Sequence, residues 1–204
     1  MKKYAVLHEP GDIVTLAGTR FVVLDVERRG SLPDSLFLLA LESVGESEFG
    51  SSNNYYAESD LKKAVDKWLE DMDKKGLDNA KLISREIDLT TLDGSGCYGK
   101  LSVKAAPLTL DEARKYTDII PNVERWCWLA TGWSSPSKSD GDLALCVDSD
   151  GDWYGGNCSS SYGIRPALKV PSILFEDSEA GLDLSKIPTD DLLQEIHRRL
   201  AEKA

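Results

Sequence analysis

Histidine is almost missing from this chain of 204 residues: there are two, His8 and His197, near opposite ends. Neither belongs to a recognisable motif, so the serine–histidine and cysteine–histidine pairs of nucleophilic catalysis have no visible base. No G-x-S-x-G elbow, no P-loop and no G-x-G-x-x-G fingerprint occurs. Cysteine is scarce as well. Cys97, Cys127, Cys146 and Cys158 include no C-x-x-C pair, which excludes the common zinc frameworks and leaves reduced thiols as the expectation. Positive charge is short: 24 Lys and Arg stand against 35 Asp and Glu, a net charge of −11. The basic pairs Lys62-Lys63, Lys74-Lys75 and Arg198-Arg199 are each diluted by carboxylates. Such a chain repels phosphate backbones and anionic headgroups, so neither nucleic acid nor a membrane surface is an expected partner. No run approaches the roughly 18–20 apolar residues of a membrane span. Tyr4 to Leu7 is too short for the apolar centre of a signal peptide. The expectation is a protein cytoplasmic as synthesised, found outside only after lysis or on a particle.

What is present is enough to fold. At 41% hydrophobic and 29% charged, the chain has the composition of a globular domain. Ile13 to Leu16, a turn at Ala17-Gly18 and Arg20 to Val26 predict a hairpin. Leu36 to Leu41 is a continuous apolar run that suits a strand covered on both faces. Leu61, Ala64, Val65, Trp68, Leu69 and Met72 share one face of a 3.6-residue period. They predict a core-facing helix with Ser59 as N-cap, Gly76 as stop and Trp68 as structural anchor. Ile83 to Leu89 and Leu101 to Ala105 are weaker strand candidates around Gly94-Ser95-Gly96. Thr109-Leu110-Asp111-Glu112 reads as a capping box opening a second helix.

From Trp126 the character changes. Trp126 to Leu129 is an apolar strand, Gly163 to Leu168 another, and between them 130–162 is dominated by Ser, Gly, Asp and Asn, with Leu143 to Val147 as the clear strand inside. The Asp148-Ser149-Asp150-Gly151-Asp152 run has the carboxylate density of a calcium loop. As an EF-hand it fails, because Trp153 stands where the glycine belongs and Ser159 where the bidentate glutamate belongs. It reads as a hairpin turn of type I′ around Asp150-Gly151. No metal ligand set and no cofactor site is expected.

Small polar residues with interspersed Tyr and Trp make up a paratope: rings give contact area at low entropic cost, and short polar side chains give adaptable hydrogen bonds. The candidate ligand contacts are Trp133, Ser134, Ser135, Ser137, Asp140, Asp152, Trp153, Tyr154, Asn157, Ser159 and Tyr162. Trp68, Trp128 and Arg165 are assigned to the scaffold, Arg165 as a buried guanidinium pinning the closing strand to a carboxylate or to carbonyls.

Trp126-Cys127-Trp128-Leu129, Ser149-Asp150-Gly151 and Gly163-Ile164-Arg165-Pro166-Ala167-Leu168 resemble the C-terminal pattern of a bacterial and phage domain of unknown function. Asn54 to Leu61 with Trp68-Leu69, and Leu108 to Ala113 with Tyr116, resemble its earlier segments. The likeness spans about residues 10–170. It implies a C-type-lectin-like fold of the formylglycine-generating-enzyme type, as in the variable proteins of diversity-generating retroelements. There a reverse transcriptase rewrites adenine-bearing codons to vary a binding surface. Ala130-Thr131 stands where the family pattern has Arg-Ser, and the catalytic cysteine pair of the enzymes is not recognisable.

The expected architecture is α+β: small antiparallel sheets, two packed helices and a long irregular loop region in a domain over 1–170. An acidic linker over 171–187 and a C-terminal helix over 188–204 follow, the helix suited to self-association or partner docking. The expected function is display of a surface for a protein or glycan ligand, without catalysis. Two alternatives remain: an oxidase of the formylglycine-generating type, needing Cys127, Cys146 or Cys158 as a stabilised thiolate, and a structural or assembly protein of a phage.

Overall fold

The computed structural model describes residues 8–29, 32–51, 53–138 and 140–175, together with Thr189 and Leu193. In chain order the strands and helices are β1 (Ile13–Leu16), β2 (Thr19–Arg29), β3 (Leu32–Ala40), β4 (Glu46–Glu48), α1 (Asp60–Lys74), β5 (Arg85–Asp88), β6 (Lys100–Val103), β7 (Ala105–Ala106), α2 (Leu110–Lys115), β8 (Cys127–Gly132), β9 (Leu143–Val147), β10 (Trp153–Asn157), β11 (Ser161–Gly163) and β12 (Ala167–Pro171). They form two five-stranded sheets, ordered β1-β2-β3-β12-β7 and β10-β9-β8-β11-β4, and the separate hairpin β5-β6. The class is mixed α+β. Pairing is antiparallel except where β11 meets β8 in parallel, Gly163 against Cys127.

Side-chain alternation explains why the strands read as continuous apolar runs. In β2, Phe21 and Val23 enter one buried cluster while Val22 and Leu24 enter another. In β8, Trp128 and Ala130 belong to the first and Leu129 to the second; in β9, Ala144 and Cys146 to the first and Leu145 to the second. The central strands of both five-stranded sheets therefore bury both faces, a period of two that yields no polar face there. Helix α1 seals the first cluster through Leu61, Val65 and Met72, and α2 seals the second through Leu110 and Ala113. Each fully buried apolar side chain contributes about 1.5–3 kcal/mol.

The termini of the helices follow local chemistry. Ser59 Oγ accepts from the Lys62 amide at 2.9 Å. Past the end of α1, Gly76 has φ 103°, while Leu77 and Gly76 donate to the carbonyls of Met72 and Asp73 at 3.0 Å each. This is a Schellman stop. At α2 the capping box is complete: the Glu112 amide donates to Thr109 Oγ1 and the Thr109 amide to the Glu112 carboxylate. Trp68 differs from expectation in degree. It is half-buried, its ring 6.4 Å from that of Phe21, because an indole is seldom covered all round.

The two hairpin turns exchange roles relative to the sequence reading. Between β1 and β2, Ala17 and Gly18 both have positive φ, 47° and 79°, which is the type I′ pattern. At 148–152 Gly151 has φ 92°, but Asp150 is not among the residues with positive φ. There the Asp148 carboxylate accepts from the amides of Asp150 and Asp152 at 2.9 Å each, and a longer loop closed by its own side chain replaces the two-residue turn. The expected irregular region is likewise corrected. Within 130–162 lie the end of β8, all of β9 and β10 and most of β11, because Gly155 and Gly156 let a polar sequence pack as a strand. Ser172–Phe175 is a short 3-10 turn, and Thr189 and Leu193 are helical. The rest of the expected linker and C-terminal helix, with its docking role, lies outside the described residues.

Trp128→Ala is expected to cost about 3–5 kcal/mol as a large-to-small change in a fully covered site. Trp68→Ala is expected to cost less, about 1–3 kcal/mol. Urea midpoints would rank the two, and a greater loss at Trp68 would contradict this placement of the core.

Candidate ligand-binding surface

The β9–β10 hairpin divides the candidate residues between two sides of one sheet. Trp153 pairs across from Val147, and Tyr154 from Cys146. Cys146 lies in the first cluster and Val147 against the second, so Trp153 and Tyr154 point in opposite directions. They do not form one contact patch, as neighbours on a strand never do.

On the side of Tyr154 a chain of rings runs inward from solvent. Tyr154 stacks on Trp126 at 5.1 Å and 29°. Trp126 touches Tyr162 at 5.6 Å, Tyr162 touches Trp128 at 4.5 Å, and Trp128 meets Phe49 edge-on at 5.5 Å. Tyr154 is 43% exposed and Trp126 37%; Tyr162 is half-buried and Trp128 buried. Glycine makes the approach feasible. A Cβ at Gly156 would fall 2.6 Å from Tyr162 and 2.8 Å from Trp128. An open groove of about 410 Å³ flanks Trp126 and Tyr162, and the Arg125–Glu46 ion pair stands beside it. The sequence marks Trp126 as part of an apolar strand and not as a contact. Its place just before β8, with its ring outside the sheet, has no periodic signal.

On the other side Trp153 is 39% exposed and carries the Arg114 guanidinium of α2 5.4 Å above its ring. It stands at the mouth of a small cleft of about 70 Å³, partly open to solvent, whose wall includes Leu129, Val147, Cys127 and Arg165. Trp133 is half-buried and packs against the second cluster. A Cβ on Gly155 would sit 2.7 Å from its ring. It supports β10 from beneath and is not an outward contact.

Several polar candidates are engaged within the fold. Ser134 and Ser135 are 2% and 9% exposed and do not present side chains to a ligand. Asn54, itself buried, donates through Nδ2 to the carbonyls of Ser134 and Leu143 at 2.9 and 2.7 Å, and accepts from the Tyr98 hydroxyl at 2.6 Å. Asn157 is exposed, yet its Oδ1 accepts from the amide and hydroxyl of Ser159 at 3.0 and 2.7 Å, closing the turn into β11. Ser137, Asp140 and Asp152 are exposed; Ser137 Oγ lies 3.1 Å from Ser135 Oγ. Arg165 is buried and donates to three carbonyls, those of Ala40, Pro121 and Leu41, at 3.0, 3.2 and 3.3 Å. Burial pulls its pKa below the ordinary value.

The buried thiols are held protonated. Burial pushes Cys127 up to about 11, with nearby Arg165 and Arg125 opposing the shift. Burial also pushes Cys146 and Cys158 up to about 12 each, helped by Asp148 and Asp142 respectively. Among the described residues no group of three or more His, Cys, Asp or Glu is placed to hold a metal ion. No helix among them is long and apolar enough to cross a membrane.

Compared with protein-family models, with curated proteins and with solved structures, the chain finds no significant match in any of the three.

The raised thiols set a pH dependence. A thiol whose pKa is higher in the folded state favours folding while it stays protonated, and that contribution is lost when the unfolded chain ionises first. For Cys127 it is complete below the ordinary value of 9.0 and disappears as pH rises toward 11. The urea midpoint is therefore expected to fall across that window, and to fall less steeply in Cys127→Ala. An equal slope in the variant would mean that this thiol ionises freely in the folded protein.

Proposed function

We propose that this chain is a ligand-binding module of C-type-lectin-like fold that takes a protein or glycan through the surface around β10 and β11. The observation that carries this reading is the outer end of the ring chain. Trp126 and Tyr154 are large, exposed and already stacked on each other, with Tyr162 and Trp128 fixing them from behind. Rings held in place before binding lose little conformational freedom on contact, which is how aromatic anchors dominate recognition surfaces. Ser137, Asp140 and Asp152 also face solvent and suit the tuning of fit.

The oxidase alternative needs a thiolate nucleophile. Burial works against one at Cys127, Cys146 and Cys158 alike, which favours binding over catalysis. The variable-protein reading draws support from the division between frame and surface. Residues packed against β10 from beneath are Trp133, Trp128 and Tyr162, while exposed positions in and around it include Asp152, Tyr154, Asn157 and Ser159.

Two tests follow from this reading. A glycan array and a display library of random linear peptides would supply ligands. Tyr154→Ala and Trp126→Ala are each expected to weaken binding by on the order of tenfold or more, with little change in Tm because both rings are largely at the surface. Parental affinity in both variants would sink the reading, as would turnover abolished by Cys127→Ser. Sibling copies of a diversified protein are expected to differ at Ser137, Asp140, Asp152, Tyr154, Asn157 and Ser159. Gly155 and Gly156 should stay constant, because adenine occurs in glycine codons only at the silent third position. Trp133 and Trp153, whose codon has no adenine, should stay constant too. Siblings that differ evenly along the chain would remove the retroelement from the proposal.

A further inference from the structure

We infer that β10 is a docking edge that accepts an extended, Lys- or Arg-bearing segment of a protein partner as the sixth strand of its sheet. This rests on the binding-module reading and narrows it to one ligand class and one geometry.

Strand β10 is outermost in its sheet, with β9 as its one neighbour. Four of its five residues are exposed. Its outward backbone groups follow from the pairing at its two ends. The Asp148 amide donates to the Asp152 carbonyl at 2.9 Å, and the Cys158 amide to the Asp142 carbonyl at 2.8 Å. Antiparallel bonding alternates along the strand, so Tyr154 and Gly156 bond to β9 while Trp153, Gly155 and Asn157 turn their N–H and C=O groups to the open side. The Asn157 carbonyl accepts from Ser160. Among the described residues no other hydrogen bond closes that side.

Natural proteins guard such edges with lysine, proline, a bulge or shortness. The opposite edge of the same sheet is guarded: β4 has three residues, two of them Glu46 and Glu48. Strand β10 has none of these devices. It reads Trp-Tyr-Gly-Gly-Asn, in unbroken register with β9, and its glycines leave the backbone bare.

Ring placement favours a strand over a sugar. A sugar stacks on rings that face one space, whereas Trp153 and Tyr154 lie on opposite faces of the sheet. An added strand also alternates its side chains between the two faces, so each ring meets every second side chain of the guest. Charge selects the guest. Exposed Asp150 and Asp152 stand at one end of β10, and exposed Asp140 and Asp142 at the other. A second copy docked antiparallel would set carboxylates against carboxylates at both ends, while a cationic segment is attracted at both ends.

The test uses the full chain and peptides selected on it from a library of random linear peptides. Selected sequences should be rich in Lys, Arg and strand-forming residues and should bind more weakly as salt rises. In synthetic copies, N-methylation of every second residue should weaken binding by on the order of tenfold, by removing main-chain bonds, with the intervening positions tolerant. Trp153→Pro, which removes an outward N–H without touching the β9 ladder, should bind more weakly than Trp153→Ala. The inference is overturned if no peptide is selected, if N-methylation is tolerated at every position, or if sedimentation shows a dimer that Trp153→Pro dissociates. Glycan binding that depends on Tyr154, without peptide binding, would overturn the strand edge and leave the binding module standing. Failure of both ligand classes would remove both.

Discussion

The indole of Trp128 is the fixed point from which the surface is built. It is buried in the central strand of the second sheet, and its Nε1 donates to the carbonyl of Ser47 at 2.9 Å. A buried donor without a partner would cost about 1–3 kcal/mol, so this bond sets the distance of β4 from β8 as firmly as packing does. Strand β11 fills the space between them, and Gly163 allows it: a Cβ there would fall 2.8 Å from the Cys127 sulfur and from Ser43 Oγ. On β10 the matching concession is Gly156. Those close approaches bring Tyr162 onto Trp128 and, through Tyr162, hold Trp126 and Tyr154 at the surface. The exposed rings are the outer end of a core contact, which fixes their place at the surface.

A second set of constraints is polar and ties the loops. Asn54 spends both nitrogen-bound hydrogens and its oxygen on Ser134, Leu143 and Tyr98. Its amide occupies the space a Cβ at Gly132 would need, 2.8 Å from Cγ, just where the β8–β9 register shifts. Arg165 does the same at the start of β12. Its three carbonyl partners belong to the end of β3 and to the segment before β8. Among the described residues no carboxylate pairs with it, so its charge is met by carbonyl dipoles, and losing them would leave a buried cation uncompensated.

Much of the scaffold was legible because its signals are local. The first hairpin, the α1 stripe, the Ser59 cap, the Gly76 stop and the Thr109–Glu112 capping box each need only a few neighbouring residues, and each appears in the structure. The polar segment misled for a physical reason. Strand signals rest on β-branched and apolar alternation, whereas Trp153–Asn157 is held as a strand by contacts its own sequence does not contain: Trp133 under Gly155, and Trp128 and Tyr162 under Gly156. The Asp150-Gly151 turn misled because the side chain of Asp148, two residues earlier, decides its geometry. The opposing directions of Trp153 and Tyr154 follow from strand periodicity alone, but only once the segment is known to be a strand. Trp126 stayed hidden because its exposure depends on where β8 begins.

The same contacts sort the polar residues of the segment into two kinds, and the sorting decides what the surface can do. Asp148, Asn157, Ser134 and Ser135 are turned to the backbone or buried, so they build loops. The cysteines lie where burial keeps them protonated. Among the described residues of this surface, a ring pair, a bare strand edge and several aspartates face solvent. Catalysis asks for groups whose pKa values are brought toward the working pH, and here burial drives the thiols away from it. Recognition asks instead for rigid apolar area, unpaired main-chain groups and charge of one sign. On the reading proposed above, ring area and unpaired main-chain groups come together at β10, a strand whose sequence carries a weak strand signal and whose conformation therefore owes much to the core beneath it.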